Sequence, residues 1–332
     1  MDSRKVTLKD IAEKTGYSIN TVSLALKGKR VSEETRKIIV DVAGELGYIG
    51  NALASSMRSG LTRTIAIIVG DIANPYFSAF IKETVNLLSS QQYSTIIYNT
   101  EEREDYEHNS ILSALRQNVD GILISPVVKD GKNIKLLKKA DIPMVIFGGT
   151  SSDPDINTVC RDDVKGGYIA TKYLLERGHR DIVFLNGPDY AQSSRERLSG
   201  YRQALVEAGI PYDQKKVLSC DLKNDKLIWE KIKYQLCHIL DYTAVIAYSD
   251  MTAMRLCSLL DSEDFKERKI NARDIVGFDN VMATFPLPIK IASVGAKDIK
   301  MSVIAPTMLL ELIEDKKQEV KKIMLDVKVY VP

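Results

Sequence analysis

Between Thr7 and Arg30 the chain sets hydroxyls, one amide and cations at helical spacing: Thr7, Ser18, Asn20, Thr21, Ser23, Lys27, Lys29 and Arg30. Side chains of this kind donate to phosphates and read base edges in a groove. The elements that must position them are short. Thr7 can cap a first helix, with Asp10 three residues on as its reciprocal partner, and Leu8, Ile11, Ala12 and Thr15 then share one face. Gly16 fits a sharp turn, because glycine takes positive φ without steric cost. A second helix is expected to start at Ser18, with Val22 and Leu26 facing the first. That leaves Ile19, Asn20, Ser23, Leu24 and Lys27 on the outer side, where a major groove would meet them. Ser32 should cap a third helix with an apolar stripe of Ile38, Ile39, Val42, Ala43 and Leu46.

Charge supports a nucleic-acid partner over a plain structural bundle. Residues 1–63 hold 11 Lys+Arg and 7 Asp+Glu, a balance of +4, so the rest of a chain of net +2 is −2. A basic head on a slightly acidic body is the footprint of phosphate contact.

With 332 residues and 45% hydrophobic content, the chain can bury a sizeable core in about two or three domains. No apolar leader and no membrane-length apolar run occur, so a soluble, cytoplasmic protein is expected. Cys160, Cys220, Cys237 and Cys257 lack metal-ligand or C-x-x-C spacing and read as buried thiols; His108, His179 and His238 are scattered and read as structural. No cofactor and no metal are expected.

From Thr64 onward, β-rich runs alternate with helical patterns. Strands are expected at 64–69, 95–98, 121–125 and 144–147, with helices at 76–91, 105–117 and 131–139. A second series has strands at 182–185, 217–219, 244–248 and 275–278, with helices at 164–177, 196–208, 226–239 and 250–261. Such alternation implies parallel sheets with right-handed crossovers. Neither series carries a dinucleotide loop, a phosphate loop or a nucleophile elbow, which argues against an enzyme. Gly148-Gly149 and Gly166-Gly167 read as close-approach turns.

An ordered set of motifs runs along this frame: Thr7-Leu-Lys-Asp-Ile-Ala, Thr21-Val-Ser, Val31-Ser-Glu-Glu-Thr-Arg36, Leu46-Gly-Tyr48, Asn51-Ala-Leu-Ala54, Asn74-Pro-Tyr-Phe77, Val119-Asp-Gly-Ile122, Gly178-His179, Arg197-Leu-Ser-Gly200 and Val276-Gly-Phe-Asp279. In order and spacing they resemble the lactose/galactose repressor (LacI/GalR) family over essentially the whole chain. The resemblance implies an all-α helix-turn-helix domain (1–48) and a hinge (49–62). Behind them it implies an α/β, two-lobed, periplasmic-binding-protein-like (type I) effector domain with parallel sheets (63–332). The first lobe would comprise about 63–161 and 293–322 and the second about 162–292 and 323–332, with the 290s returning to the first lobe and the last strand, about 326–331, joining the second.

Residue roles follow from the resemblance position by position. Thr7, Ser18, Thr21 and Lys29 would touch phosphates, and Asn20 would be the main base reader, suited to adenine, with Ile19 and Ser23 in support. Leu24 stands where the family commonly has arginine or another polar residue, so it offers apolar contact to a thymine methyl in place of a guanine contact. The hinge helix Asn51–Arg58, including Ala54, is too short to be stable alone and would order on DNA; Met57 would either wedge into the minor groove or pack against its dimer mate. Gly50, where many members have proline, would make the hinge costlier to order.

The effector cleft would use Tyr76 and Phe77 as an aromatic wall and Arg197 and Asp279 as polar contacts, a set suited to a sugar or similar polyhydroxy compound. Ser249, Leu222 and Gly148 replace the family's common Asn, aromatic and Asp, which points away from a typical hexose toward a larger or less polar ligand, or none. The expected protein is a homodimeric, ligand-gated repressor on a pseudo-palindromic duplex operator, with no membrane partner. The chain ends at Pro332 without a heptad tail, against tetramers through an added bundle. Two alternatives differ in what they sense or lack: a regulator of this type answering a non-sugar metabolite or a protein, and a solute-binding protein, which would carry a signal peptide and no residues 1–60.

Overall fold

The computed structural model describes residues 6–26, 28–48, 60–219, 226–260, 270–283, 285, 290–296 and 300–332. Two compact units divide at Thr62 and Arg63.

In the N-terminal unit, α1 (Leu8–Thr15), α2 (Ile19–Leu26) and α3 (Glu33–Glu45) close on Ile11, Val22, Ala25, Ile39 and Ala43. Local chemistry sets the boundaries. The Thr7 hydroxyl accepts from the Asp10 amide while the Asp10 carboxylate accepts from the Thr7 amide at 2.7 Å, and Gly16 ends α1 at φ +75°. Ser18 and Ser32 accept from the amides of Thr21 and Thr35, three residues on, and so cap α2 and α3. One core assignment is corrected. Val22 faces the core with Ala25, and Leu26 packs on it partly covered, whereas Ile38 is exposed. Since α3 turns about 100° per residue, pointing Ile39 inward carries its neighbours Ile38 and Val40 outward.

The larger unit holds two six-stranded sheets. The first combines β1 (Thr64–Val69), β2 (Ser94–Asn99), β3 (Gly121–Ile124), β4 (Met144–Phe147), β5 (Asn157–Arg161) and β11 (Lys322–Leu325), in the order β11-β5-β4-β3-β1-β2, all parallel. The second combines β6 (Ile182–Asn186), β7 (Val217–Ser219), β8 (Ala244–Ala247), β9 (Ile275–Phe278), β10 (Ala292–Ala296) and β12 (Val327–Tyr330), in the order β12-β10-β9-β8-β6-β7. Only β12 runs antiparallel to its neighbour. β1, β3, β4 and β8 are buried almost throughout, which is why they read as continuous apolar runs instead of alternating ones.

The helices that carry the site are α4 (Pro75–Ser90), on the first sheet, and α7 (Asp163–Glu176), α8 (Gln192–Glu207) and α10 (Asp250–Leu260), on the second; α5 (Glu104–Arg116), α6 (Lys132–Lys139) and α9 (Lys226–Tyr234) complete the layers up to the last helix. α7 and α8 touch backbone to backbone. A Cβ on Gly167 would lie 2.0 Å from the Arg197 carbonyl oxygen, and one on Gly200 would lie 1.9 Å from that of Val164. Gly166-Gly167 is therefore a helix-packing pair inside α7, not a turn.

The expected lobe boundaries shift. β10 pairs with β9 (Ala292 with Val276, Val294 with Phe278), so the 290s stay in the second lobe. The chain re-enters the first lobe after Ala296, and α11 (Met301–Glu314) buries Ala305, Met308 and Leu309 in that lobe's core. β11 also belongs to the first sheet, paired with β5, so only β12 at the C-terminal end lies in the second. The first and last crossings are each one residue long, Asp162 and Asp326, and they lie side by side: the Asp162 amide donates to the Leu325 carbonyl at 3.1 Å.

Candidate functional site

On the N-terminal unit, Ser18, Ile19 and Asn20 are exposed at the start of α2, Ser23 and Leu24 are half-buried, and none of Ile19, Asn20, Ser23 or Leu24 joins the small core. Thr7, Lys29 and Arg30 are also exposed. The Ser18 and Thr21 hydroxyls share a 2.8 Å hydrogen bond, which fixes both at the helix start. Free backbone amides and hydroxyls at a helix N-terminus form an anion-binding surface. Lys27 and the hinge residues Asn51, Ala54, Met57 and Arg58 lie outside the described residues, as does Leu222 of the cleft.

The two lobes meet at the carboxyl ends of β1, β4 and β5 on one side and β6, β8 and β9 on the other, which bounds the cleft. Asn74 caps α4 and so aims Tyr76 at this junction. The next residue, Phe77, backs it: its ring meets the Tyr76 ring edge-on with centroids 5.1 Å apart and is buried beside Phe147 in the first-lobe core. Of the two aromatics, Tyr76 lies against Arg161 and Phe77 stands behind it. Gly148, at φ +70°, follows β4 closely enough that a Cβ there would sit 3.5 Å from the Tyr76 hydroxyl. Burial raises the Tyr76 pKa, although Arg161 opposes that shift.

Asp279 follows β9 with φ +98°, a conformation unusual for a residue with a side chain. Its carboxylate meets the Arg161 guanidinium at 2.9 Å, and that guanidinium lies 4.7 Å over the Tyr76 ring. Burial works against the Arg161 charge, yet Tyr76, Asp279 and Asp163 outweigh it and raise the pKa.

Arg197 is buried, only 2% exposed. Its Nε donates to Asp163 at 2.8 Å, one terminal nitrogen donates to the Tyr248 carbonyl, and its face lies 4.2 Å from the Phe278 ring centre. It is neither a surface residue nor a cation waiting for a partner. Ser249 is likewise committed, accepting from the Thr252 amide at 3.2 Å as the cap of α10. Behind Asp279, Asp250 accepts from the Val281 amide at 2.8 Å and the Ser293 hydroxyl at 2.7 Å. Burial and the nearby Asp279 charge push its pKa up to about 7.

Several cleft residues escape the sequence reading. Arg161 and Asp163 flank the first crossing. Gln192, at the start of α8, reaches the other lobe: its amide donates to the Thr150 hydroxyl at 2.6 Å and accepts from the Thr150 backbone at 3.1 Å. Tyr190 donates to Glu102, also across the cleft, at 3.3 Å. The one available signal was the charged run Arg161-Asp162-Asp163 directly after the mixed stretch Ile156-Asn-Thr-Val-Cys160.

Residues 7–51 match the family model for bacterial regulatory proteins of the lacI family, and residues 62–301 match that for periplasmic binding proteins and the sugar-binding domain of the LacI family. The chain belongs to the LacI family. It is a DNA-binding transcriptional regulator, with a helix-turn-helix unit and a two-lobed effector-binding unit. A relative from Vibrio atlanticus, the HTH-type transcriptional repressor PurR, is 30% identical over 317 residues, 94% of this chain and 93% of its own. The cellobiose complex of the regulator CelR superimposes with a TM-score of 0.69 at 25% identity, covering 98% and 99% of the two chains. The lac repressor dimer bound to operator and an anti-inducer shares the fold, with a TM-score of 0.80 at 21% identity and coverage of 99% and 98%. Among the described residues, no helix is long and apolar enough to cross a membrane, and no group of three or more potential ligands could hold a metal ion.

Proposed function

We propose that this chain is a cytoplasmic repressor that binds a pseudo-palindromic operator as a homodimer, its affinity set by a small molecule held between the lobes. The observation that carries the reading is the outward face of α2, where Asn20 and Ile19 are exposed above a core that does not use them. Asn20 reads adenine, Leu24 meets a thymine methyl, Ile19 and Ser23 assist, and Thr7, Ser18, Thr21 and Lys29 hold phosphates. By family resemblance Asn51, Ala54, Met57 and Arg58 contact the minor groove. The homodimer is supported by the first lobe's edge strand β2, whose exposed Ile97 neighbours the equally exposed Ile72.

In the cleft, Tyr76, Gly148 and Asp279 receive the effector while Arg197 positions the wall behind them. A sugar or sugar derivative is the leading class, with its apolar face on Tyr76; a related regulator is bound to cellobiose. A non-sugar metabolite is the second reading, favoured by the Arg161–Asp279 pair, which occupies the carboxylate that a sugar would use.

A gel-mobility shift with fragments upstream of the protein's own gene, at two salt concentrations and with a panel of sugars, tests the proposal. Salt-sensitive binding altered by at least one compound is expected. Absence of binding to any such fragment would overturn the repressor reading.

A further inference from the structure

In this structure the two groups best placed to receive a ligand, the Tyr76 ring and the Asp279 carboxylate, are both covered by one side chain of the protein itself. Arg161 leaves the first lobe at the end of β5, lays its guanidinium 4.7 Å over Tyr76, and reaches Asp279 of the second lobe at 2.9 Å. The Arg161 and Asp279 side chains are only 11% and 8% exposed, so the pair lies within the cleft and not on its rim. Two further links span the lobes at other points: the reciprocal Thr150–Gln192 hydrogen bonds and the Tyr190–Glu102 contact.

We infer that Arg161 is a tethered occupant of the effector cleft, doing within the chain what a bound ligand does between lobes. A planar guanidinium suits this role, because it stacks on an aromatic face and donates to a carboxylate at the same time. Once buried, neither charge can be left alone without a large penalty, so the pair holds the lobes together in the absence of any ligand. Asp279, at φ +98°, presents its carboxylate to Arg161 at 2.9 Å. The effector therefore acts on lobes that are already closed. It must exchange with Arg161, bringing donors for Asp279, acceptors for the released guanidinium and a flat face for Tyr76. This inference rests on the cleft being the effector site.

Hydrogen exchange on the full chain, without DNA or effector, tests it. The reporter is the Thr150 amide, which is donated across the cleft to Gln192. Arg161→Ala should speed its exchange roughly tenfold or more. Millimolar methylguanidinium chloride should then slow it again, whereas methylammonium chloride at the same ionic strength should not. Arg161→Gln, which keeps a polar side chain should the alanine variant fold poorly, should also speed exchange. Wild-type protection in Arg161→Gln would overturn the inference. Rescue that fails, or that methylammonium matches, would overturn it as well. Because neither operator nor effector enters these measurements, such results would leave the repressor reading standing.

Discussion

On α2 of the N-terminal unit Asn20 is exposed and its amide makes no side-chain hydrogen bond among the described residues, whereas in the cleft Arg161, Asp279, Arg197 and Asp163 are all paired within the chain. The difference follows from solvent. A face that meets a hydrated, charged polymer can leave its polar groups to water until the partner arrives, and water is released on contact. A cleft with buried walls has no such reserve, since an unpaired charge or amide there costs several kcal/mol. One region is built to wait; the other is satisfied and must be displaced.

The largest expected effect tests the satisfied side. Arg197→Ala strands Asp163, which lies in a buried position, and frees the Tyr248 carbonyl, so urea unfolding of the effector unit should lose about 3–5 kcal/mol. Unfolding at the wild-type urea concentration, with only the ligand response lost, would instead make Arg197 a ligand-facing group and break the contrast.

Next comes pH. The Asp250 pKa is raised from 3.8 to about 7, so the native state holds this proton more tightly than the unfolded chain does. Its contribution to stability is complete below 3.8 and is lost as pH rises through about 7. The unfolding free energy of wild type minus that of Asp250→Asn should therefore fall across this window. A flat difference would mean that the second lobe tolerates the charge.

On the waiting side, Asn20→Ala should weaken operator binding by about 1–3 kcal/mol and relax the preference at one base pair. Its melting temperature should stay at the wild-type value, because nothing in the fold depends on the amide. A drop in thermal stability would show that the amide is structural. The smallest effect is expected for Lys29→Ala, which should weaken all duplexes alike and reduce the salt dependence of binding by about one unit of slope. Selective loss on one operator would turn a phosphate contact into a base reader.

How much of this was legible in the sequence tracks how local each cause is. The N-terminal unit reads well because its boundaries are set within three or four residues: Thr7 with Asp10, Ser18 with Thr21, Gly16 at φ +75°. Most strands of the two sheets read well too, as short apolar runs. β5, Asn157-Thr-Val-Cys-Arg161, was missed because polar residues break up its apolar pattern. β10 and β11 were assigned to the wrong lobes because only pairing partners distant in sequence, Val276 and Thr158, decide which sheet each one joins. In the cleft, the family resemblance suggested Arg197 and Asp279 but could not say which side chains of the chain itself they would bind. Asp163 lies 34 residues from Arg197, and Arg161 faces Asp279 across a crossing whose geometry no local pattern encodes. The motif at the helix start likewise named Tyr76 and Phe77 together, but the helical step that turns the Phe77 ring into the core behind Tyr76 shows only in the structure.

The paired single-residue crossings carry a mechanical consequence. Asp162 and Asp326 lie next to each other and are tied together, the Asp162 amide to the Leu325 carbonyl and the Lys165 ammonium to the Asp326 carboxylate at 2.5 Å. Two such short pins leave no slack for one lobe to translate past the other. What remains is a swing about the line through the pins, taken up by the backbone torsions of the two aspartates. The effector unit is then close to a machine with one coordinate. An event anywhere in the cleft is converted into a single angle, and residues far from that axis travel furthest for each degree turned.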